Sequence, residues 1–110
     1  LTLYAVATEE GCEVEAWLAS LDDAAQTAFR GRFEHLCDVG HLRSPEYWRQ
    51  LEHGVFEVKV RTGPGYRLYM VRDEINFLAT HGTSKPKKNQ VQKEVAKAIK
   101  AIEKHRRGEI

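Results

Sequence analysis

The side chains best suited to chemistry lie between residues 57 and 88: Glu57, Lys59, Arg61, Arg67, Tyr69, His81, Lys85, Lys87 and Lys88. Their spacing places several on one surface. Val55 to Arg61 alternates, with Phe56, Val58 and Val60 on one side and Glu57, Lys59 and Arg61 on the other. Thr62-Gly63-Pro64-Gly65 is a turn signal, and Tyr66 to Arg72 reads as the next strand. If Leu68 and Met70 join the apolar side, Arg67, Tyr69 and Val71 share the polar side. Matching faces then put Arg61 opposite Arg67 and Lys59 opposite Tyr69, across a five-residue connection or a four-residue one with a bulge. Two arginines and a lysine would crowd one open sheet face. Like charges side by side cost stability. Such a face is explained by an anion bound there, or by neutralisation from Glu57 and helical acids.

The proton carriers are less sharply marked. Glu57 has a strand position fit for a general base among cations, or for an ion pair. His81 ends the third strand near a loop, and its parity points it to the core side with Tyr66; it reads as a catalytic or a hydrogen-bonded structural histidine. His35, His41, His53 and His105 have no partner pattern and read as surface residues. The basic face holds no paired acids, which argues against a metal-dependent nuclease. No Ser/His/Asp or Cys spacing supports nucleophilic catalysis. Cys12 and Cys37 form no C-x-x-C and no zinc pattern, leaving two reduced thiols or a single disulfide.

The elements that must position these residues follow from periodicity. Leu1 to Ala7 reads as a buried strand, broken by Glu9, Glu10 and Gly11. Val14, Trp17, Leu18 and Leu21 recur at helical spacing. Asp22 and Asp23 offer N-caps for a second helix carrying Ala25, Ala28, Phe29, Phe33 and Leu36, closed by Gly40. Residues 41–54 read as a loop. After the strands at 55–61 and 66–72, a two-residue turn at Asp73-Glu74 leads into a third, Ile75 to His81. It would set Arg67 opposite Thr80 and Tyr69 opposite Leu78. A helix then runs from about Asn89 to Arg107 on the stripe Val91, Val95, Ala98, Ile99 and Ile102. The order β-α-α-β-β-β-α is α+β: an N-terminal helical hairpin and a C-terminal helix, segregated and packed on an antiparallel-rich sheet of about four strands.

The 110 residues fit one domain, 1–110. No apolar run approaches the roughly 18–20 residues of a membrane span. No secretory signal opens the chain, so a cytoplasmic location is expected, and the missing Met reads as a few residues lost from the front. The net charge of +1 conceals an asymmetry. Residues 1–53 carry four Lys/Arg and ten Asp/Glu, whereas residues 85–107 carry nine and two. A basic back half points to an anionic partner or to a solvated Lys-rich helix.

VFEVKVR (55–61) followed by GPGYRLY (63–69) resembles the RelE/ParE/HigB type II toxin superfamily, the second element being especially similar to its addiction-module killer branch. His81-Gly82-Thr83-Ser84-Lys85, followed by a basic helix, resembles the HGFxKK stretch of the phage-derived HigB-like branch. Trp17 near the start also fits, and the order of elements agrees across almost the full chain. The resemblance implies a RelE-like fold and a ribosome-dependent mRNA endonuclease that inhibits translation without a metal or other cofactor. A ribose 2′-OH would attack the adjacent phosphate, a reaction that needs cations for the phosphorane and a proton shuttle. Arg61 and Arg67 match the superfamily's strand arginines and would clamp the phosphate through their planar forks. Lys85 matches the first lysine of the loop motif. Pro86 stands where a second lysine is usual, with Lys87 and Lys88 as substitutes, and Thr83 replaces an aromatic. Glu57 and His81 would carry protons. Lys59, Lys87, Lys88 and a base-stacking Tyr69 would hold RNA, and the Lys-rich helix would add salt-sensitive attraction to rRNA. The family also implies a cognate antitoxin, with the ribosome and mRNA as further partners and no membrane. Two other readings stay open: a ParE-like toxin that binds gyrase, and a non-catalytic nucleic-acid-binding regulator.

Overall fold

The structure is a computed structural model that describes residues 2–7 and 11–108. Five strands form one sheet in the order β1-β5-β4-β3-β2. They are β1 (Thr2–Ala5), β2 (Trp48–Gln50), β3 (Val55–Val60), β4 (Tyr66–Asp73) and β5 (Asn76–Ser84). β1 runs parallel to β5, and every other pair is antiparallel. The helices are α1 (Glu13–Ala19), α2 (Asp23–Val39) and α3 (Val91–Arg106). The α+β class and the helical hairpin match the expectation, with one strand more than the four expected.

The helices cover both faces of the sheet. Phe29 and Leu36 of α2 pack with Val14 of α1 on Val58, Val60, Leu68, Met70 and Phe77. On the other face Val95 and Ala98 of α3 meet Val55 and Tyr69, and Ile102 meets Val6 and Leu78. Burying each such side chain contributes about 1.5–3 kcal/mol. The helix ends carry their sequence signals. Asp22 caps α2 by accepting from the Ala25 N–H at 2.8 Å, and Gly40 closes it at φ +88°. Among the described residues no helix is long and apolar enough to cross a membrane. Cys12 and Cys37 are free thiols.

Five local expectations are corrected. The first strand is an edge strand whose side chains are mostly exposed, not a buried one; Leu1 and the breakers Glu9 and Glu10 lie outside the described residues. The stretch 41–54 is not all loop, because Trp48–Gln50 pairs with β3 and Trp48 stacks on Phe56 with ring centroids 4.7 Å apart. The β3–β4 connection is five residues long but starts one residue early. Val60 pairs with Tyr66 and Lys59 with Arg67, so Arg61 lies in the loop. The loop is drawn tight by a Gly65 N–H bond to the Thr62 carbonyl at 3.0 Å, with Gly65 at φ +83°. The next turn is Glu74-Ile75, since Asp73 pairs with Asn76.

The fifth correction concerns His81. Tyr69 pairs with His81, yet Met70 pairs with Ala79, so Thr80 is an extra residue on β5. This bulge reverses the alternation. Before it, Phe77 and Ala79 face α1 and α2; beyond it, His81 faces α3 and Gly82 faces Trp17. The displaced turn and the bulge together set Arg67 opposite Thr83, not Thr80.

Candidate functional site: a cationic cleft

Three cross-strand rows build the face beneath α3. Val55, Val71 and Leu78 form an apolar row, Glu57, Tyr69 and His81 the next, and Lys59, Arg67 and Thr83 the third. The helix sits on the first two. Past its N-terminus the third row opens into a cleft of about 690 Å³. Its walls carry Lys59, Arg61, Arg67, Lys85 and Lys88 around the carboxylate of Glu57. The β3–β4 loop supplies Gly63, Pro64 and Gly65, and Val91 marks where α3 begins. Loop and strand end are tied by the Lys85 N–H bond to the Gly65 carbonyl at 2.9 Å.

The charges are unevenly satisfied. Glu57 is only 1% exposed. Its Oε1 lies 3.0 Å from Nη2 of Arg49 and 3.8 Å from Nε of Arg67. Arg67 also donates from Nη1 to the Tyr66 carbonyl at 3.0 Å. Lys59, Arg61, Lys85 and Lys88 make no ion pair among the described residues. Burial pushes the Lys59 ammonium below its ordinary value; Glu57 pulls it back, and Arg49, Arg67 and Arg61 press it down again. A cleft with this surplus of cations attracts anions and stabilises negative charge that develops inside it.

Of the residues singled out in the sequence, Glu57, Lys59, Arg61, Arg67, Lys85 and Lys88 are brought together. Lys87 is exposed outside the cleft wall. Tyr69 and His81 are buried beneath α3 and stack on each other with centroids 4.7 Å apart. His81 Nδ1 is 2.9 Å from Thr80 Oγ1 and Nε2 is 3.0 Å from Glu94 Oε1. Burial lowers the histidine's pKa, against the pull of its Glu94 hydrogen bond. Burial pushes the Tyr69 phenol up to about 12. Neither ring presents a face to a ligand in the cleft, so both serve the packing of α3.

Arg49 carries no strand signal of its own, because it lies in the stretch 41–54 that reads as loop. It stands directly opposite Glu57 on β2. The signal was the glutamate itself: a carboxylate buried in a sheet requires a cationic partner, and Arg49 is the nearest preceding arginine or lysine in the sequence.

The sequence matches the family model of phage-derived Gp49-like proteins over residues 16–104. The chain belongs to the Gp49-like family. A search of curated protein sequences finds no match. Among solved structures, this Gp49-like chain is similar to a chain of the intact E. coli RelBE toxin–antitoxin complex. The TM-score is 0.58 at 11% identity, over 78% of this chain and 98% of that one. It is also similar to the isolated E. coli RelE toxin, with TM-score 0.57 at 12% identity over 89% and 97% of the two chains. These likenesses establish the RelE fold that the sequence resemblance implied.

Proposed function

We propose that this Gp49-like protein is the toxin of a type II toxin–antitoxin pair, with residues 1–110 as a single toxin domain. In this reading it cuts mRNA on the ribosome by metal-independent attack of a ribose 2′-OH on the adjacent phosphate. The observation that carries the reading is the cleft, where five cations and Arg49 surround one buried carboxylate on a RelE fold. Arg67 and Arg61 hold the phosphate and offset the charge of the phosphorane. Lys85 and Lys88 engage the flanking backbone. Lys59, whose ammonium burial disfavours, is the cleft cation assigned to proton exchange in this reading. Similarity to a chain of a toxin–antitoxin complex supports a cognate antitoxin as partner, and the place of action in this reading is the cytoplasm.

A second reading, a nucleic-acid-binding regulator without catalysis, is favoured by one observation. The two rings expected at the site, His81 as a proton carrier and Tyr69 as a base-stacking residue, are buried away from the cleft. Induction of the wild-type chain and of Arg61→Ala/Arg67→Ala, with mRNA ends mapped on translating ribosomes, separates the two. Growth arrest with cuts in the ribosomal A site, absent in the double variant, is the expected result. RNA binding without cuts would replace the endonuclease with the regulator, and arrest without cuts or RNA binding would point to the gyrase-binding type.

A further inference from the structure

Glu57 occupies the place in the cleft where a proton acceptor is wanted, but its geometry is that of a strut. Its carboxylate is almost wholly buried, so little of either oxygen is open to a substrate hydroxyl. Oε1 is engaged by Arg49 on one side and approached by Arg67 on the other. The arginines come from different strands: Arg49 lies opposite Glu57 on β2, and Arg67 is its diagonal neighbour on β4. Each guanidinium carries five N–H donors in a fixed plane. The Glu57 contacts and the Tyr66 carbonyl occupy only part of that set, and both arginines line the cleft. Two guanidiniums sharing one carboxylate keep a net positive charge and donors for phosphate oxygens.

We propose that Arg49 and Arg67 form a two-arginine phosphate clamp aimed by the buried Glu57 carboxylate, so that Glu57 is a positioning residue and not the general base. The inference rests on the reading of the cleft as a phosphodiester site and adds Arg49 to it. The edge strand β2 thereby becomes part of the binding machinery. Arg49 is half-exposed, but its removal leaves the buried Glu57 carboxylate to Arg67 alone, so folding of each variant is checked by thermal unfolding.

The test uses inorganic phosphate first, because that arm is independent of RNA cleavage. Phosphate is titrated into isotope-labelled protein while the Nε–H signals of Arg49 and Arg67 are followed by NMR. Both are expected to shift with one dissociation constant, and Arg49→Ala should weaken phosphate at Arg67 about tenfold, with Arg49→Lys restoring part of the loss. An Arg67 signal that moves alone, or unchanged affinity in Arg49→Ala, overturns the clamp. In Glu57→Gln the two signals should lose their separate, protected positions while phosphate still binds, as expected when an aiming carboxylate is lost. Signals that stay in place overturn the strut. The second arm is the pH profile of ribosome-dependent mRNA cleavage. Glu57→Gln should lower kcat without raising KM and retain the rising limb of the profile; loss of that limb would make Glu57 the base. If wild-type protein cleaves nothing, the endonuclease reading fails, and the clamp and its strut are still decided by the phosphate arm.

Discussion

Substitution of Gly82 by alanine tests the packing of α1 on the sheet. A methyl group at Gly82 would fall inside the indole of Trp17, overlapping Cε3, Cδ2 and Cζ3. The indole cannot simply retreat. It stands edge-on to Phe29 with centroids 5.5 Å apart, and edge-on to Tyr66 at 6.1 Å. Overpacking of this kind costs about 1–3 kcal/mol. Displacing the ring from two edge-to-face partners costs about 0.5–1.5 kcal/mol for each. Together they give a loss of about 2–6 kcal/mol, against a total near 5–15 kcal/mol for an ordinary domain. Each kcal/mol moves Tm by roughly 4–8 °C at this size, so Gly82→Ala should melt at least about 8 °C below wild type. Thermal unfolding followed by circular dichroism measures it. Gly31→Ala is the control, because Gly31 lies within α2 with open space around it and should stabilise by about 0.5–1 kcal/mol. If Gly82→Ala melts within about 2 °C of wild type, the indole is not seated on Gly82 and the account of this interface is wrong.

The buried histidine makes stability depend on pH. Its folded pKa is lowered from 6.5, chiefly by burial, so below that value the unfolded chain takes up a proton more readily than the folded one. Stability is therefore complete above the unfolded value and declines as pH falls through the folded one. Urea midpoints taken from about pH 7 to about pH 5 should fall less in His81→Asn than in wild type, and equal slopes would refute this role for His81. Val95 is buried between α3 and the sheet; Val95→Asp should cost several kcal/mol through an unpaired buried charge and abolish cooperative unfolding at room temperature. A normal melting curve would undo the placement of that helix.

The parts of the fold that could be read in the sequence are those whose signal is local. Asp22 and Gly40 bracket α2 through their own side-chain and backbone chemistry. The stripe Val95, Ala98 and Ile102 marks the buried side of α3 in any helical reading. Alternation placed Glu57 and Lys59 on the same side as Arg67 and Tyr69, and it survived a register error of two residues because the pleat repeats every two. What could not be read depends on partners distant in sequence. Three residues of β2 carry too little pattern to mark a strand, and only pairing with β3 makes them one. The bulge at Thr80 leaves no compositional trace. Missing it moved His81 to the wrong face, and with it a candidate proton carrier.

The cleft exists because one face of the sheet changes character along its strands. On β3 the step from Val55 to Glu57 and then Lys59 passes from apolar to charged without leaving the face. On β4 the same change runs from Val71 through Tyr69 to Arg67. A helix that buries apolar surface has reason to cover Val55, Val71 and Leu78 and none to cover Lys59, because desolvating an unpaired cation costs more than packing over its stem returns; Arg67, though buried, is held by Glu57 and the Tyr66 carbonyl instead of the helix. The row of Glu57, Tyr69 and His81 is the boundary. Its polar groups lie against the helix and are supplied with partners by Arg49, Thr83 and Glu94. The same alternation that lets α3 seal one end of the face thus leaves the other end open, positively charged and held in shape from below.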